Sequence, residues 1–294
     1  MERQGMDHII TTKPTGLTGV GIAGCTGRMG TALVRSLLAG YAPALYVCAG
    51  TVKSGFPAEG QDLGLQLGQA PLGVNIGTDP DSMIEKSDII IDFTTPEATR
   101  THLWLCAKHR KPLVIGTTGL READLQEMHD AAQKTPIFYA RNMSIGVNLL
   151  LALVEQCAHY LEPEWDIEIQ EIHHRHKCDA PSGTALALGE AAAKGRGGVL
   201  SDFQVPFSAR EGRTQERSSG DIGFSVIRGG NVAGEHTVFF MNEHERLELT
   251  HKASDRSIFA RGALRAATWL RDQPAGLYNF QDMTKNITQN ITKF

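Results

Sequence analysis

With 294 residues, 41% of them hydrophobic and 21% charged, the chain has the composition of a globular enzyme and the length of two domains. A formal net charge of −4 without an offsetting basic tract excludes nucleic acid as a general partner, and no apolar run is long enough to span a bilayer, which argues against a membrane partner. The five cysteines (Cys25, Cys48, Cys106, Cys157, Cys178) are scattered, odd in number and without close pairs, a pattern that suits a reducing, cytoplasmic setting and not a disulfide framework.

Met1 to Thr18 is polar, lacks the apolar centre of a secretory signal and reads as a loose leader. Gly19 to Ala23 is a short apolar strand that runs into Gly24-Cys-Thr-Gly-Arg-Met-Gly30, and Thr31 to Leu38 continues as an amphipathic helix. Strand, glycine turn and helix together are the context of a dinucleotide-binding turn; the spacing is Gly-x-x-Gly-x-x-Gly in place of the commoner Gly-x-Gly-x-x-Gly, and a glycine turn without a ligand is the alternative. Gly24, Gly27 and Gly30 permit the tight turn, close approach of backbone to a pyrophosphate, and packing of helix on sheet. The next strand, Leu45 to Ala49, ends on Gly50-Thr51-Val52-Lys53, where an NAD-preferring site would carry a carboxylate for the adenosine ribose. Lys53 or Arg28 could meet a 2′-phosphate there, and Lys53 reads equally well as a solvated surface residue.

Pro57 to Gly77 is rich in glycine without periodicity and is expected to be an irregular loop. Asp88 to Phe93 is a buried parallel-type strand, followed by a helix to His109. Leu113 to Gly116 is another strand, then a helix to Lys134 and a strand from Pro136 to Ala140. This alternation predicts a doubly wound parallel sheet, with Phe93-Thr94, Gly116-Thr117-Thr118 and Ala140-Arg141-Asn142 at the strand ends that face a cofactor. Asp92 could touch that cofactor or hold a backbone N–H.

A helix opens at Asn142 and runs to about His159, and there the character of the chain changes. Trp165 to Ile172 alternates like a half-buried strand, and Thr184 to Lys194 is a helix rich in good helix formers. After a Gly- and Arg-rich loop from Gly195 to Gly220 come three strand-like runs, Ile222–Arg228, Glu235–Met241 and Arg246–His251, which predict a mostly antiparallel sheet. Ser254 to Leu270 is helical again. The expected architecture is α/β: a Rossmann-like doubly wound domain of residues 1–142 and 255–294, and an α+β substrate-binding and tetramerisation domain of residues 143–254. Asn286 and Asn290 match glycosylation acceptors in form only, and the tail reads as frayed.

The chemistry concentrates in Glu171-Ile-His-His-Arg-His-Lys-Cys-Asp-Ala-Pro-Ser-Gly-Thr-Ala185. A strand delivers three histidines, an arginine and a lysine to a loop that ends at Ser182, a good N-cap. The free N–H groups and positive dipole end of the helix beyond favour an anion. A lysine among His173, His174 and Arg175 would have its pKa lowered by like charge and make a better acid. Other roles stay open. His173, His174, His176 and Cys178 are soft or borderline zinc ligands by type, but neighbours on an extended chain point to opposite faces, and no metal is assigned. His176 could be a structural histidine donating to a carbonyl, and Arg175 an ion-pair partner of Glu171 or Asp179.

This fifteen-residue run resembles the signature of the 4-hydroxy-tetrahydrodipicolinate reductase (dihydrodipicolinate reductase) family. Gly24 to Gly30, Asp92-Phe-Thr, Gly116-Thr-Thr-Gly119, Asn142-Met-Ser-Ile-Gly-Val-Asn148, Gly234-Glu-His-Thr and Leu249-Thr-His-Lys-Ala-Ser-Asp-Arg256 fall in the family's order, so the likeness covers the chain apart from residues 1–18 and the tail after Phe280. The resemblance implies NADPH- or NADH-dependent reduction of a cyclic imino dicarboxylate to tetrahydrodipicolinate, in the diaminopimelate and lysine pathway. It also implies a homotetramer built through the sheet of the substrate domain. It makes His173 and Lys177 the proton-donating pair, and His174, Lys177, Gly183 and Thr184 the substrate contacts. Cofactor contacts would be Gly24, Cys25, Thr26, Gly27, Arg28, Met29, Gly50, Thr51, Lys53, Phe93, Gly116, Thr117, Thr118, Ala140, Arg141, Asn142 and Met143. Where members that use NADH well carry an acidic residue, this chain has Gly50-Thr51, which favours NADPH or at least does not disfavour it. A non-catalytic NADPH sensor and a reductase or dehydrogenase for another amino-acid-derived imine are the other readings.

Overall fold

A computed structural model describes residues 15–205 and 216–284. Most of the proposed leader, the middle of the Gly- and Arg-rich loop, and the tail with Asn286 and Asn290 lie outside the described residues. The chain divides into two compact units: the described residues up to Met143 and from Phe259 onward, and Ser144–Ile258 between them.

The first unit is built on β1 (Thr18–Ala23), α1 (Arg28–Leu38), β2 (Leu45–Thr51), α2 (Leu63–Gln66), α3 (Pro80–Lys86), β3 (Ile89–Asp92), α4 (Pro96–His109), β4 (Leu113–Ile115), α5 (Glu122–Ala132) and β5 (Pro136–Tyr139). With a tenth strand from the far end of the described chain, β10 (Gly276–Tyr278), its sheet has the order β10-β5-β4-β3-β1-β2 with every pairing parallel. Such strands are covered on both faces, which is why Ile89-Ile-Ile91 and Leu113-Val-Ile115 are continuous apolar runs, all fully buried. Strand order reverses beside β1, so the crevice for a ligand lies at the carboxyl ends of β1, β3 and β4. The stretch from Pro57 to Gly77 is the irregular segment its glycines suggest, apart from the single helical turn of α2. The Asp62 carboxylate caps α2 through the N–H groups of Gly64 and Leu65 and also accepts those of Leu72 and Gly73, holding the segment together. Asp79 and Pro80 start α3, which periodicity does not announce.

The second unit contains α6 (Ile145–Tyr160), β6 (Asp166–His173), α7 (Gly183–Gly195), a single 3-10 turn, β7 (Ile222–Arg228), β8 (Glu235–Met241) and β9 (Arg246–Lys252). Its sheet runs β7-β6-β8-β9, with β6–β7 parallel and the other two pairs antiparallel. α6 and α7 cover one face. Leu150, Val154 and Ala158 of α6 and Ala185, Leu188 and Ala192 of α7 recur at helical spacing and pack on Ile167, Ile169, Phe224, Val238 and Phe240. α8 (Ser257–Leu270) then returns the chain to the first unit, where β10 (Gly276–Tyr278) pairs with β5 as the last strand of the parallel sheet. Three residues are too few to show a period, and β10 has no sequence signature.

Candidate active site

In the first unit the turn after β1 has the geometry its glycines promise. Gly24 sits at φ +66°, a conformation L side chains rarely adopt, and the Gly27 N–H donates to its carbonyl at 2.9 Å. A Cβ at Gly30 would collide with the Gly24 carbonyl and the Cys25 backbone, so α1 can approach the turn only with glycine there. Gly27 is the N-cap of α1 and supplies no side-chain cap, so the first N–H groups of the helix are left for an anion. This cradle fits the pyrophosphate of a dinucleotide. Cys25 is fully buried against Gly50, burial pushes its thiol up to about 11, and Thr51 is buried on Met83. Both therefore offer the crevice main-chain atoms only. Arg28 and Lys53 are exposed, as a 2′-phosphate contact requires. Phe93, Gly116, Thr117 and Thr118 follow the ends of β3 and β4, and Ala140, Arg141, Asn142 and Met143 follow β5, with Ala140 and Met143 buried.

In the second unit β6 alternates strictly, burying Ile167, Ile169, Glu171 and His173 on one face. Glu171 is therefore at a core position, and a carboxylate there needs partners. It has them. Arg228 at the end of β7 donates to both of its oxygens at 2.8 Å, the Ser182 N–H donates to Oε1 at 2.9 Å, and His173 Nδ1 meets Oε2. Ser182 in turn caps α7 by accepting from the Ala185 N–H at 3.1 Å, and its hydroxyl lies 3.2 Å from His236 Nε2. The His236 ring stands edge-on to that of His173, with centroids 5.1 Å apart. Beyond His173 the chain turns. The His174 N–H donates to the Val232 carbonyl and the Lys177 N–H to the His174 carbonyl, which brings Lys177 Nζ within 2.8 Å of both oxygens of Asp179. Gly183 is exposed, and a Cβ there would meet nothing within 4 Å, so the start of α7 is open to a ligand.

The charges follow from these contacts. Burial by itself raises the Glu171 carboxyl, but Arg228, the Ser182 N–H and His173 together hold it below the usual glutamate range. His173 is pushed below the ordinary histidine value by burial, against the pull of Glu171 and with the help of the Lys177 charge. His236, more deeply enclosed and facing His173, falls to about 4. Asp179 is lowered by Lys177. Neutral His173, with Nδ1 turned to an ionised Glu171, presents Nε2 outward as an acceptor. Gly234, at φ +153°, leaves the space beside Nε2, since a Cβ there would stand 3.0 Å from it. Glu171, His173 and His236 also bring one ligand atom each within 4.8 Å of one another, as a metal would need. The carboxylate is already filled by Arg228, Ser182 and His173, so they do not make a free ligand set.

Two expectations about this loop need correction. Arg175 is exposed, and the partner of Glu171 is Arg228 while that of Asp179 is Lys177, because the side-chain alternation of β6 puts Glu171 on the sheet face it shares with Arg228. His176 is exposed, and the buried, hydrogen-bonded histidines of the second unit are His173 and His236. Asp92 takes the second of its two roles and accepts the Thr94 N–H at 2.9 Å. Glu171 as a hub, Arg228 and His236 were not read from the sequence. The signal for Glu171 was present, since it occupies the apolar register of an otherwise regular alternation. Nothing in sequence ties Arg228 or His236 to it, because strand pairing brings them there.

Residues 18–143 match the family model described as dihydrodipicolinate reductase, N-terminus, and residues 146–284 match its C-terminus. The 4-hydroxy-tetrahydrodipicolinate reductase of Halorhodospira halophila is 49% identical over 265 residues, covering 90% of this chain and 98% of that protein. That of Zymomonas mobilis is 46% identical over 266 residues, covering 90% and 96%. The dipicolinate-bound dihydrodipicolinate reductase of Paenisporosarcina superposes with a TM-score of 0.70 at 26% identity over 90% of this chain and 97% of that one. An amine dehydrogenase of Mycobacterium smegmatis shares the fold at 13% identity, with a TM-score of 0.60 over 92% and 96% of the two chains. The chain belongs to the dihydrodipicolinate reductase family, the 4-hydroxy-tetrahydrodipicolinate reductases of diaminopimelate and lysine biosynthesis.

Proposed function

We propose that this chain reduces 4-hydroxy-tetrahydrodipicolinate to tetrahydrodipicolinate with loss of water, using NADPH at least as well as NADH. The observation that carries the reading is Lys177, held by Asp179 on the loop between the buried Glu171–His173 pair and the open N-terminus of α7. A bound nicotinamide nucleotide supplies the hydride. The first N–H groups of α7, with Gly183 and Thr184, take a substrate carboxylate, and His174 and Lys177 add positive or donor groups to it. A conjugated imine that has accepted hydride is left electron-rich at carbon and must be protonated. Lys177 is the donor, because its ammonium lies on the loop that leads to the carboxylate-binding start of α7. His173, with Nδ1 committed to Glu171, accepts a hydrogen bond at Nε2 and orients the substrate or the water beside it. A dicarboxylate as substrate agrees with the dipicolinate held by the Paenisporosarcina relative.

NADPH is favoured by the absence of a carboxylate after β2 and by the exposed Arg28 and Lys53. The outer face of the second sheet carries half-exposed Ile172, Phe239 and Met241, with Ile227 43% exposed, and supports assembly into a homotetramer through that face. Five free cysteines agree with a cytoplasmic setting, and among the described residues no helix is long and apolar enough to cross a membrane.

The test is the loss of nicotinamide absorbance with substrate generated from aspartate semialdehyde and pyruvate, run with each nucleotide. Turnover dependent on both precursors is expected, with kcat/KM for NADPH equal to or above that for NADH and reduced in Lys53→Ala. No turnover with either nucleotide overturns the activity. A strong NADH preference that Lys53→Ala leaves unchanged overturns the cofactor reading alone.

A further inference from the structure

The first unit holds a second buried carboxylate that none of the proposed chemistry uses. Asp92, the last residue of β3, is fully buried, and His102 on α4 is 5% exposed. Asp92 Oδ1 accepts the Thr94 N–H at 2.9 Å and the Thr94 hydroxyl at 2.5 Å, and the Thr117 hydroxyl lies 3.3 Å away. Oδ2 accepts the Thr99 hydroxyl at 2.9 Å and faces His102 Nδ1 at 2.7 Å. Thr117 Oγ1 takes the Thr94 N–H at 3.1 Å, and the Gly116 N–H donates to the Asp92 carbonyl at 2.9 Å. Burial opposes the charge on Asp92, but His102 first, then Thr94 and Thr99, hold it ionised, so it is an acceptor only. Each group facing it must donate, which fixes the rotors of Thr94 and Thr99 and the tautomer of His102.

We propose that Asp92 and His102 are positioning residues for the nicotinamide nucleotide: together they lock the segments after β3 and β4 that form the wall of its crevice. The inference rests on the reading of the first unit as a nucleotide site. Beyond the Gly116 N–H bond to the Asp92 carbonyl, side chains of α4 tie the end of β3 in place through Asp92. Thr99 and His102 stand three apart on that helix, so both reach back to the same strand end. The lock extends to the turn after β1, because the Thr94 methyl is the group that a Cβ at Gly24 would meet, at 3.1 Å. It extends as well to the Phe93 ring, which lies against Gly116. One carboxylate thus sets the relative positions of the ends of β1, β3 and β4. His102 does not touch the nucleotide. It acts through Asp92.

The experiment measures nucleotide dissociation constants by nicotinamide fluorescence, and that of dipicolinate as a planar dicarboxylate probe, for the wild type, His102→Phe, His102→Gln, Thr99→Val and Thr99→Ser. His102→Phe and Thr99→Val, each removing a donor to a buried charge, should weaken nucleotide binding about tenfold while dipicolinate affinity and kcat at saturating nucleotide stay within about twofold. His102→Gln and Thr99→Ser, which can restore a donor, should recover most of the loss. If His102→Phe fails to fold, Thr99→Val reads the same carboxylate. Folded His102→Phe or Thr99→Val protein with wild-type nucleotide affinity overturns the inference, as does an equal loss of nucleotide and dipicolinate affinity, which would mark a general loosening. Wild-type protein that binds neither nucleotide overturns the reading of the first unit and the inference with it.

Discussion

Lys177, 20% exposed, is held by Asp179, which is 60% exposed, so the salt bridge on the loop before α7 opens to solvent on the carboxylate side. A lysine paired in this way adds little to stability, because an ion pair open to solvent contributes only about 0–1 kcal/mol. Lys177→Ala should therefore leave the melting temperature nearly unchanged. As a general acid it should cost kcat about a hundred- to ten-thousand-fold, toward the upper end because a contact to the substrate carboxylate goes with it. Steady-state kinetics and thermal melting on the same preparation check both halves, and a folded variant with near-normal kcat would make Lys177 a surface residue. Cys178→Ser should change little, since that thiol is exposed and reaches only the His176 carbonyl. At this scale the chemistry-bearing loop was legible because its residue types are unusual in one run. Partners contributed by other strands were not, and Arg228 and His236 lie far along the chain from the Glu171 and Ser182 they contact.

β6, β8 and the start of α7 form one linked set. Ser182 is fixed at both ends, its N–H on Glu171 of β6 and its hydroxyl beside His236 of β8, while it caps α7. His236 has to stay neutral there: its pKa falls from 6.5 in the unfolded chain to about 4 on folding. A depressed histidine binds more protons unfolded than folded, so its stabilisation is present above pH 6.5 and is lost as pH falls toward 4. Between pH 8 and pH 5 the loss amounts to about 2 kcal/mol. The wild type should lose melting temperature over that interval, and His236→Gln should lose less of it, although it starts lower. Equal pH dependence in the two proteins would show that His236 titrates normally. The regular elements with strong periodicity, from α1 to β9, fall where their patterns put them, within a few residues at each end. Those that rest on a single polar hub escaped detection: α2 depends on Asp62 and α3 on Asp79, and neither hub leaves a period in the sequence.

At the scale of the whole molecule, assembly and order of formation matter. If the outer face of the second sheet is the subunit contact, a charge set among its apolar residues should break it. Phe239→Arg should shift the protein from tetramer to smaller species in light scattering coupled to gel filtration, and an unchanged mass would place the contact elsewhere. Such a variant keeps its inner-face core, because Phe239 points away from Val238 and Phe240, which pack under α6 and α7. The two-unit plan was legible in the switch from alternating strands and helices to clustered strands. The return of the chain to the parallel sheet was visible only as far as α8. That return has a consequence during synthesis. β5 leaves the ribosome with one edge unpaired, and its other neighbour, β10, does not exist until all of Ser144–Ile258 and α8 have followed. An open strand edge is a template for pairing between chains. The nascent protein therefore carries that open edge through the making of the entire second unit, and a chain halted before residue 276 should stick to its own copies more readily than one released complete.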